Sequence, residues 1–220
     1  LKENTSTVFS TVWGHGGVGK TASIQRVCEF LLSEEKMIFD YIAFVSAKDR
    51  KFNYHTGAIE KISGGVDSYD SVIRYINNIA FSADSSDPSE IISFQGKMLI
   101  IIDDYETFNP SEKEKLLEFI KSLDIRHHKV VITTRSASNI TGEEIEVKEL
   151  SPSESLSFFD SVLENELSID PSIYKKDKKR EALGESIHSI TSGRPLFIFQ
   201  SALIYGESGS ISTMLDSHVK

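Results

Sequence analysis

Three features of the sequence predict an α/β fold, in which helices flank a parallel sheet and a small helical subdomain follows. A glycine-rich loop at residues 14–21 separates a strand pattern from a helix pattern. Two apolar runs, 98–102 and 130–134, have strand length, and the first is continuously apolar, which is typical of a central parallel strand covered on both faces. From Leu150 onward the periodicity is helical.

The glycine-rich loop matches the P-loop pattern G-x-x-x-x-G-K-[ST]. Glycines let the backbone turn its N–H groups toward a triphosphate, Lys20 can reach the β- and γ-phosphates, and the Thr21 hydroxyl can bind Mg²⁺. The strand pattern Thr7–Trp13 precedes the loop and the helix pattern Thr21–Leu32 follows it, so a ligand-free glycine turn is the weaker interpretation. The predicted cofactor-binding residues here are Gly14, His15, Gly16, Gly17, Val18, Gly19, Lys20, Thr21 and Ala22.

The remaining elements up to residue 150 alternate between strand and helix patterns. Tyr41–Ser46 is predicted as a strand buried on both faces, and 144–147 as a short edge strand. One helix is predicted within 67–87, around Val72, Ile73, Ile76 and Ile79. A second would begin with a Ser111/Glu114 capping box and bury Leu116, Leu117, Ile120 and Leu123.

The region after Leu150 is predicted to be a helical subdomain, so we expect a P-loop nucleotide-binding domain at 1–150 and an incomplete helical annex at 151–220. Ser151-Pro152-Ser153-Glu154 has the pattern of a capped helix start. A helix with Leu183, Ile187 and Ile190 follows a basic stretch, 175–180, which we interpret as a solvated helix start rather than a partner site. The segment 196–205 is apolar nearly all round and should be buried.

Composition limits the possible partners. The chain has 220 residues, with 39% hydrophobic and 26% charged, as in ordinary globular proteins. Its net charge of −9 argues against nucleic acid as the main partner. We expect a cytoplasmic location, since the sequence has no apolar run of membrane-spanning length and no signal peptide. The first residue is Leu1 rather than Met, which suggests a piece of a longer protein.

Cysteine and histidine give little indication of further chemistry. The single cysteine, Cys28, excludes an internal disulfide framework and is expected to be a buried structural thiol, with a redox role as the alternative. None of the histidines has metal-ligand spacing, and His127-His128 is interpreted as a solvated turn.

Charged residues follow two of the predicted strands, where ligands bind in open parallel sheets. Asp103 and Asp104 end an apolar run, which is the Walker B pattern: Asp103 would hold Mg²⁺, and Asp104 would orient or deprotonate the attacking water. Glu106 is a rival for the base. Arg135 follows Thr133-Thr134 and could reach a γ-phosphate, and the alternative is a surface arginine paired with a carboxylate.

In their order and spacing these motifs resemble the NB-ARC group of the STAND signal-transduction ATPases, which includes plant disease-resistance proteins, apoptosis activators and bacterial regulators and defence proteins. The resemblance spans residues 14–196. The matching segments are Gly16–Thr21, Phe44–Ser46, Ile101–Asp104, Lys129–Arg135, Glu149–Phe159 and Gly193–Leu196.

The resemblance implies an ATP/ADP switch with Mg²⁺ and slow hydrolysis. Lys20, Asp104 and Arg135 would be its catalytic residues, Thr21 and Asp103 its metal ligands, and Pro195 would pack against adenine. ADP would hold a closed state, and ATP would permit assembly with other protomers of the same protein. Effector and sensor domains would lie outside this piece, and a bacterial source would suggest immunity against phage.

Some positions depart from the family pattern. Arg194 replaces the usual leucine, and the family's ADP-locking histidine and its adenine-binding segment before the first strand are expected to lie outside these 220 residues. Two alternatives stay open at this point: a continuously cycling AAA-type ATPase acting on DNA or another macromolecule, and an inactive pseudo-ATPase scaffold.

Overall fold

A computed structural model describes residues 8–34, 37–47, 50–53, 58–61, 66–137, 142–171, 180–210 and 213–214. The chain forms two compact units. The first comprises Leu1–Gly14 and Thr21–Glu146, and the second comprises His15–Lys20 and Val147–Lys220. The division into domains at 150 stays a prediction. The predicted basic stretch at 175–180 lies almost entirely outside the described residues.

The first unit contains the alternating strands and helices that the sequence predicts, together with an antiparallel strand pair that it did not predict. Its elements are β1 (Phe9–Trp13), α1 (Lys20–Ser33, whose first residue groups with the second unit), β2 (Tyr41–Ser46), β3 (Arg50–Asn53), β4 (Ala58–Lys61), α2 (Tyr69–Phe81), α3 (Ser89–Ser93), β5 (Met98–Asp103), a 3₁₀ turn (Tyr105–Thr107), α4 (Pro110–Ser122), β6 (His128–Thr134) and β7 (Glu143–Glu146).

The main sheet has five parallel strands in the order β2-β5-β6-β1-β7. Strand β6 therefore lies between β1, which leads into the P-loop, and β5, which ends in Asp103. The register aligns Ile102 with Ile132 and Ser46 with Asp103. Because all five strands run in one direction, their carboxyl ends bring residues from five separate chain segments to one edge.

The core of the first unit lies around β5, whose six residues are all buried, as the continuous apolar run predicts. Helix α2 confirms the helix predicted within 67–87. It buries Val72, Ile73 and Ile76 in this core, whereas Ile79 is 47% exposed. The helix turns Asn77 inward instead, where its amide donates to the carbonyls of Ser85 and Asp87.

Strand β2 lies at an edge of the described sheet, which corrects the prediction that it is buried on both faces. Ala43 and Val45 are buried, whereas Tyr41, Ile42 and Phe44 are only partly so. An edge strand has a neighbouring strand on one side only, so its apolar composition does not guarantee full burial.

Helix α4 begins two residues earlier than the predicted capping box implies. Asn109 is the N-cap and accepts a hydrogen bond from the Glu112 N–H at 3.0 Å, with Pro110 at the first helical position. Leu116, Ile120 and Leu123 are buried as predicted, but Phe119 takes the buried place predicted for Leu117, which stays partly exposed.

His128 is also a correction, because it is the first residue of β6 and only 1% exposed rather than part of a solvated turn. Its Nε2 lies 2.8 Å from the Ile91 carbonyl and its Nδ1 lies 3.2 Å from the Asp124 carbonyl. A neutral imidazole carries one N–H, so it donates to one of these two carbonyls, and that hydrogen bond offsets part of the cost of burying the ring.

The described part of the second unit contains α5 (Pro152–Asn165), α6 (Arg180–Thr191) and α7 (Pro195–Ser208), together with the P-loop residues His15–Lys20. The predicted capping box is confirmed: Ser151 accepts from the Glu154 N–H, and the Glu154 carboxylate accepts from the Ser151 N–H. Helix α7 buries Ile198, Ser201, Ala202 and Tyr205 but leaves other apolar positions partly exposed, so its predicted burial holds on one side only.

None of the helices in the described part of the chain is both long and apolar enough to cross a bilayer.

Candidate functional site

The P-loop adopts a tight conformation that depends on its glycines. Gly17 has φ +83° and Gly19 has φ +97°, values that residues with a side chain rarely adopt. The Lys20 ammonium donates to the His15 carbonyl at 3.1 Å, and the residue is only 7% exposed. The loop therefore holds a buried positive charge beside backbone turned by glycine, an arrangement suited to a phosphate group.

The helical residues of the second unit brace this loop. The Leu196 N–H donates to the Gly17 carbonyl at 3.2 Å, and a Cβ added at Gly17 would lie 3.2 Å from the Leu196 Cβ. His15 Nδ1 lies 2.5 Å from a Glu149 carboxylate oxygen. Pro195 begins α7, but it is the next residue, Leu196, that contacts the loop.

Asp103 is the centre of a buried cluster of hydroxyl groups in the first unit. It is fully buried, and the Thr21 hydroxyl lies 2.9 and 3.0 Å from its two carboxylate oxygens. Thr133 donates to Oδ1 at 2.7 Å, and Ser46 lies 3.4 Å from Oδ2. The sheet order explains this cluster, because the ends of β2 and β6 lie on either side of the end of β5.

Asp104 follows in the left-handed region, with φ +56°. Its N–H donates to the Thr133 hydroxyl at 2.8 Å, and its carbonyl accepts from the Thr107 hydroxyl at 2.8 Å. A non-glycine residue in this conformation is uncommon, and Asp tolerates it better than most. The chain therefore turns sharply after β5 and leads into the 3₁₀ turn that contains Glu106.

Arg135 and Glu106 form an ion pair, with Nε and Oε1 3.0 Å apart. The arginine side chain is 70% exposed and the glutamate side chain 24%. This matches the pairing foreseen in the alternative interpretation of Arg135, although such a pair does not exclude a second, anionic partner. The role of Arg135 toward a γ-phosphate therefore stays a prediction.

The oxygen donors around Asp103 fit Mg²⁺, which prefers hard ligands such as carboxylates and hydroxyls. Thr21 and Asp103 are the residues that would hold it. Among the described residues, no cluster of three or more His, Cys, Asp or Glu side chains offers another metal site.

The Cys28 thiol is half-buried rather than buried, and burial raises its pKa, with a smaller contribution from Glu29. A raised pKa lowers the thiolate fraction, which favours the structural role over the redox alternative.

Sequence reasoning found the motif residues but missed their supports. Thr133 and Ser46 lie in segments that match the family pattern, but their contacts with Asp103 were not predicted. A hydroxyl residue at the carboxyl end of a strand beside Asp103 is the signal that could have found them. Glu149 and Leu196 also lie in matching segments, but their contacts with His15 and Gly17 join residues more than 130 positions apart and were not predicted.

The fold resembles those of solved P-loop ATPases. The chain superposes on a Walker-type ATPase of Pyrococcus abyssi with a TM-score of 0.61, at 11% identity, over 97% of this chain and 67% of that one. The replication initiator DnaA bound to AMPPCP and single-stranded DNA superposes with a TM-score of 0.59 at 11% identity. The match covers 99% of this chain and 61% of that one. Cdc6p from Pyrobaculum aerophilum superposes with a TM-score of 0.58 at 13% identity, over 91% of this chain and 55% of that one.

Comparison of the sequence with protein-family models and with curated proteins finds no match. The chain spans between 55% and 67% of the length of these three structures. At such identities the likeness establishes the fold alone: a P-loop NTPase fold, with a five-stranded parallel sheet flanked by helices.

Proposed function

We propose that this chain is the nucleotide-binding part of an ATP/ADP switch of the NB-ARC type, with slow Mg²⁺-dependent ATP hydrolysis, which controls the oligomerisation of a larger signalling or defence protein. Nucleotide binding is supported above all by the cluster of hydroxyl groups around Asp103. There the residue that completes the P-loop motif, Thr21, meets the acidic end of β5 at 2.9 and 3.0 Å. Two motifs 82 positions apart thus contribute to one set of oxygen ligands.

Each group would have a distinct task. Lys20 and the P-loop N–H groups would bind the β- and γ-phosphates, because a buried ammonium gains most from an anionic partner. Bound Mg²⁺ would neutralise phosphate charge, and Thr21 and Asp103 would hold it. Asp104 would accept a proton from, or orient, the attacking water. Arg135 would contact the γ-phosphate.

The switch role is supported by the bracing of the P-loop within the second unit. Leu196 contacts Gly17, and Glu149 pairs with His15. The conformation of the phosphate-binding loop and the positions of Leu196 and Glu149 are therefore coupled. A phosphate that reshapes the loop would change these contacts, which gives the nucleotide a physical route to the helices.

The first experiment is to identify the nucleotide that co-purifies with the protein, by acid extraction and chromatography. Tightly held ADP at close to one per chain would support a slowly exchanging switch. Lys20→Ala should lose it, because removing a hydrogen bond to a charged group weakens binding about 10- to 100-fold. Lys121→Ala, on α4, is the matched control and should retain it. ADP retained by Lys20→Ala would contradict the site.

A second candidate is a continuously cycling AAA-type ATPase that acts on DNA. The fold likeness to DnaA, in the structure with single-stranded DNA, and to Cdc6p favours it. The net charge of −9 weighs against it, since proteins that bind nucleic acid through phosphates are usually basic. Turnover of many per second, stimulated by single-stranded DNA, would favour this candidate over the switch.

A further inference from the structure

Glu106 is held in an unusual environment for a carboxylate. Both of its oxygens are buried, and neither makes a hydrogen bond within the part of the chain that the structure describes. The contact with Arg135, at 3.0 Å from Nε to Oε1, is an ion pair without hydrogen-bond alignment. A buried carboxylate is costly unless it is paired, so Glu106 depends on Arg135 for compensation of its charge.

The position of Glu106 is fixed by its own 3₁₀ turn. The Lys113 ammonium donates to the Glu106 carbonyl at 2.9 Å and lies 5.7 Å from the centre of the Tyr105 ring. The Tyr105 hydroxyl donates to the Lys113 carbonyl at 3.2 Å, and burial raises its pKa to about 12, so it stays a neutral donor. The Thr107 hydroxyl also lies 3.3 Å from the Ala47 carbonyl. The turn thus presents the carboxylate at a defined place.

Unlike Glu106, Arg135 is neither buried nor fixed in position. Its side chain is 70% exposed and follows the last residue of β6, so packing does not confine it to one rotamer. An ion pair with an exposed member shifts an equilibrium only about two- to fivefold. A γ-phosphate, with more than one negative charge and several acceptor oxygens, is a stronger partner for a guanidinium than this carboxylate.

We propose that Glu106 is a positioning residue that holds Arg135 when no γ-phosphate is present, and that a triphosphate takes Arg135 from it. The inference rests on the proposed function, in which Arg135 contacts the γ-phosphate. Glu106 then competes with the γ-phosphate for one guanidinium, and it lowers the affinity for ATP without lowering that for ADP. This gives Glu106 a role other than the general base that the sequence also allowed.

The test measures the dissociation constants of ADP and of the non-hydrolysable analogue AMPPCP by calorimetry, for the whole chain with Mg²⁺. Glu106→Gln keeps the shape of the side chain and removes its charge. We expect the ratio of the ADP constant to the AMPPCP constant to rise about two- to fivefold. Glu114→Gln, an exposed position on α4, controls for the loss of one negative charge and should leave the ratio unchanged.

A double-mutant cycle separates competition for Arg135 from general electrostatics. In the Arg135→Ala background, Glu106→Gln should no longer change the ratio, because the contested guanidinium is gone. An unchanged ratio in Glu106→Gln, or the same change with and without Arg135, would overturn the proposal. A wild-type chain that binds neither nucleotide would instead refute the proposed function. A thermal melt of each variant confirms that it is folded.

Discussion

Individual residues at the carboxyl ends of the strands carry most of the chemistry that the sequence predicts. The P-loop and Walker B patterns identify Lys20, Thr21 and Asp103, because each pattern lies within a few consecutive residues. The hydrogen bond from Thr133 to Asp103 could not be predicted in that way, since the two residues are 30 positions apart and meet only through the strand order.

At the same scale, Asp104 can be tested with a substitution that preserves its backbone. Asn tolerates the left-handed region at least as well as Asp, whereas Ala does not, so Asp104→Asn should leave the turn at φ +56° intact. We expect unchanged affinity for ADP and AMPPCP and a hydrolysis rate lower by about 10²- to 10⁴-fold, as for loss of a general base. Phosphate release under single-turnover conditions measures the rate.

Asp84→Asn is the matched control, because Asp84 pairs with Arg74 on the surface and should be neutral. If Asp104→Asn hydrolysed ATP at the wild-type rate, the assignment of the base to Asp104 would be wrong. Glu106 would then be the remaining carboxylate from the sequence analysis.

At the scale of elements, the strands and helices were predictable where the pattern is local. The apolar run of β5 predicts its burial because a parallel strand covered on both faces has no polar side. The start of α4 was not predicted correctly, because two overlapping cap patterns lie two residues apart and Asn109-Pro110 is the one the helix uses. The burial of His128 depends on the Ile91 carbonyl, 37 positions away.

In the P-loop, the conformation of Gly17 predicts how a substitution changes thermal stability, and Gly16 provides a control. In Gly17→Ala the new Cβ would combine a φ of +83° with a 3.2 Å contact to Leu196. The left-handed region costs a residue with a side chain about 1–2 kcal/mol, which corresponds to a melting temperature about 2–8 °C lower in a chain of this size. Thermal unfolding without added nucleotide measures this effect on stability.

Gly16→Ala, one position earlier, has no positive φ and its Cβ would meet nothing within 4 Å. It should melt within about 1 °C of the wild type, as surface substitutions do. An equal fall in melting temperature in the two variants would mean that the stability of the loop does not depend on the conformation of Gly17 or on its contact with Leu196.

At the scale of the whole molecule, net charge distinguishes the two candidate functions. Protomers that each carry −9 repel one another, and salt screens this repulsion, since the Debye length falls to about 10 Å at 0.1 M. Assembly of a switch should therefore strengthen as salt rises. Binding to DNA through phosphates should instead weaken as salt rises, because it depends on counterion release.

We therefore expect the AMPPCP complex to form larger assemblies than the ADP complex, and more of them at about 200 mM than at about 50 mM salt. Light scattering coupled to size exclusion measures the masses, and Lys20→Ala, which should lose its nucleotide, should not form the larger assemblies. Single-stranded DNA should leave the hydrolysis rate unchanged at both salt concentrations. A DNA-stimulated rate that falls as salt rises would contradict the switch and support the cycling ATPase, because an acidic chain could respond in this way only through a local basic surface.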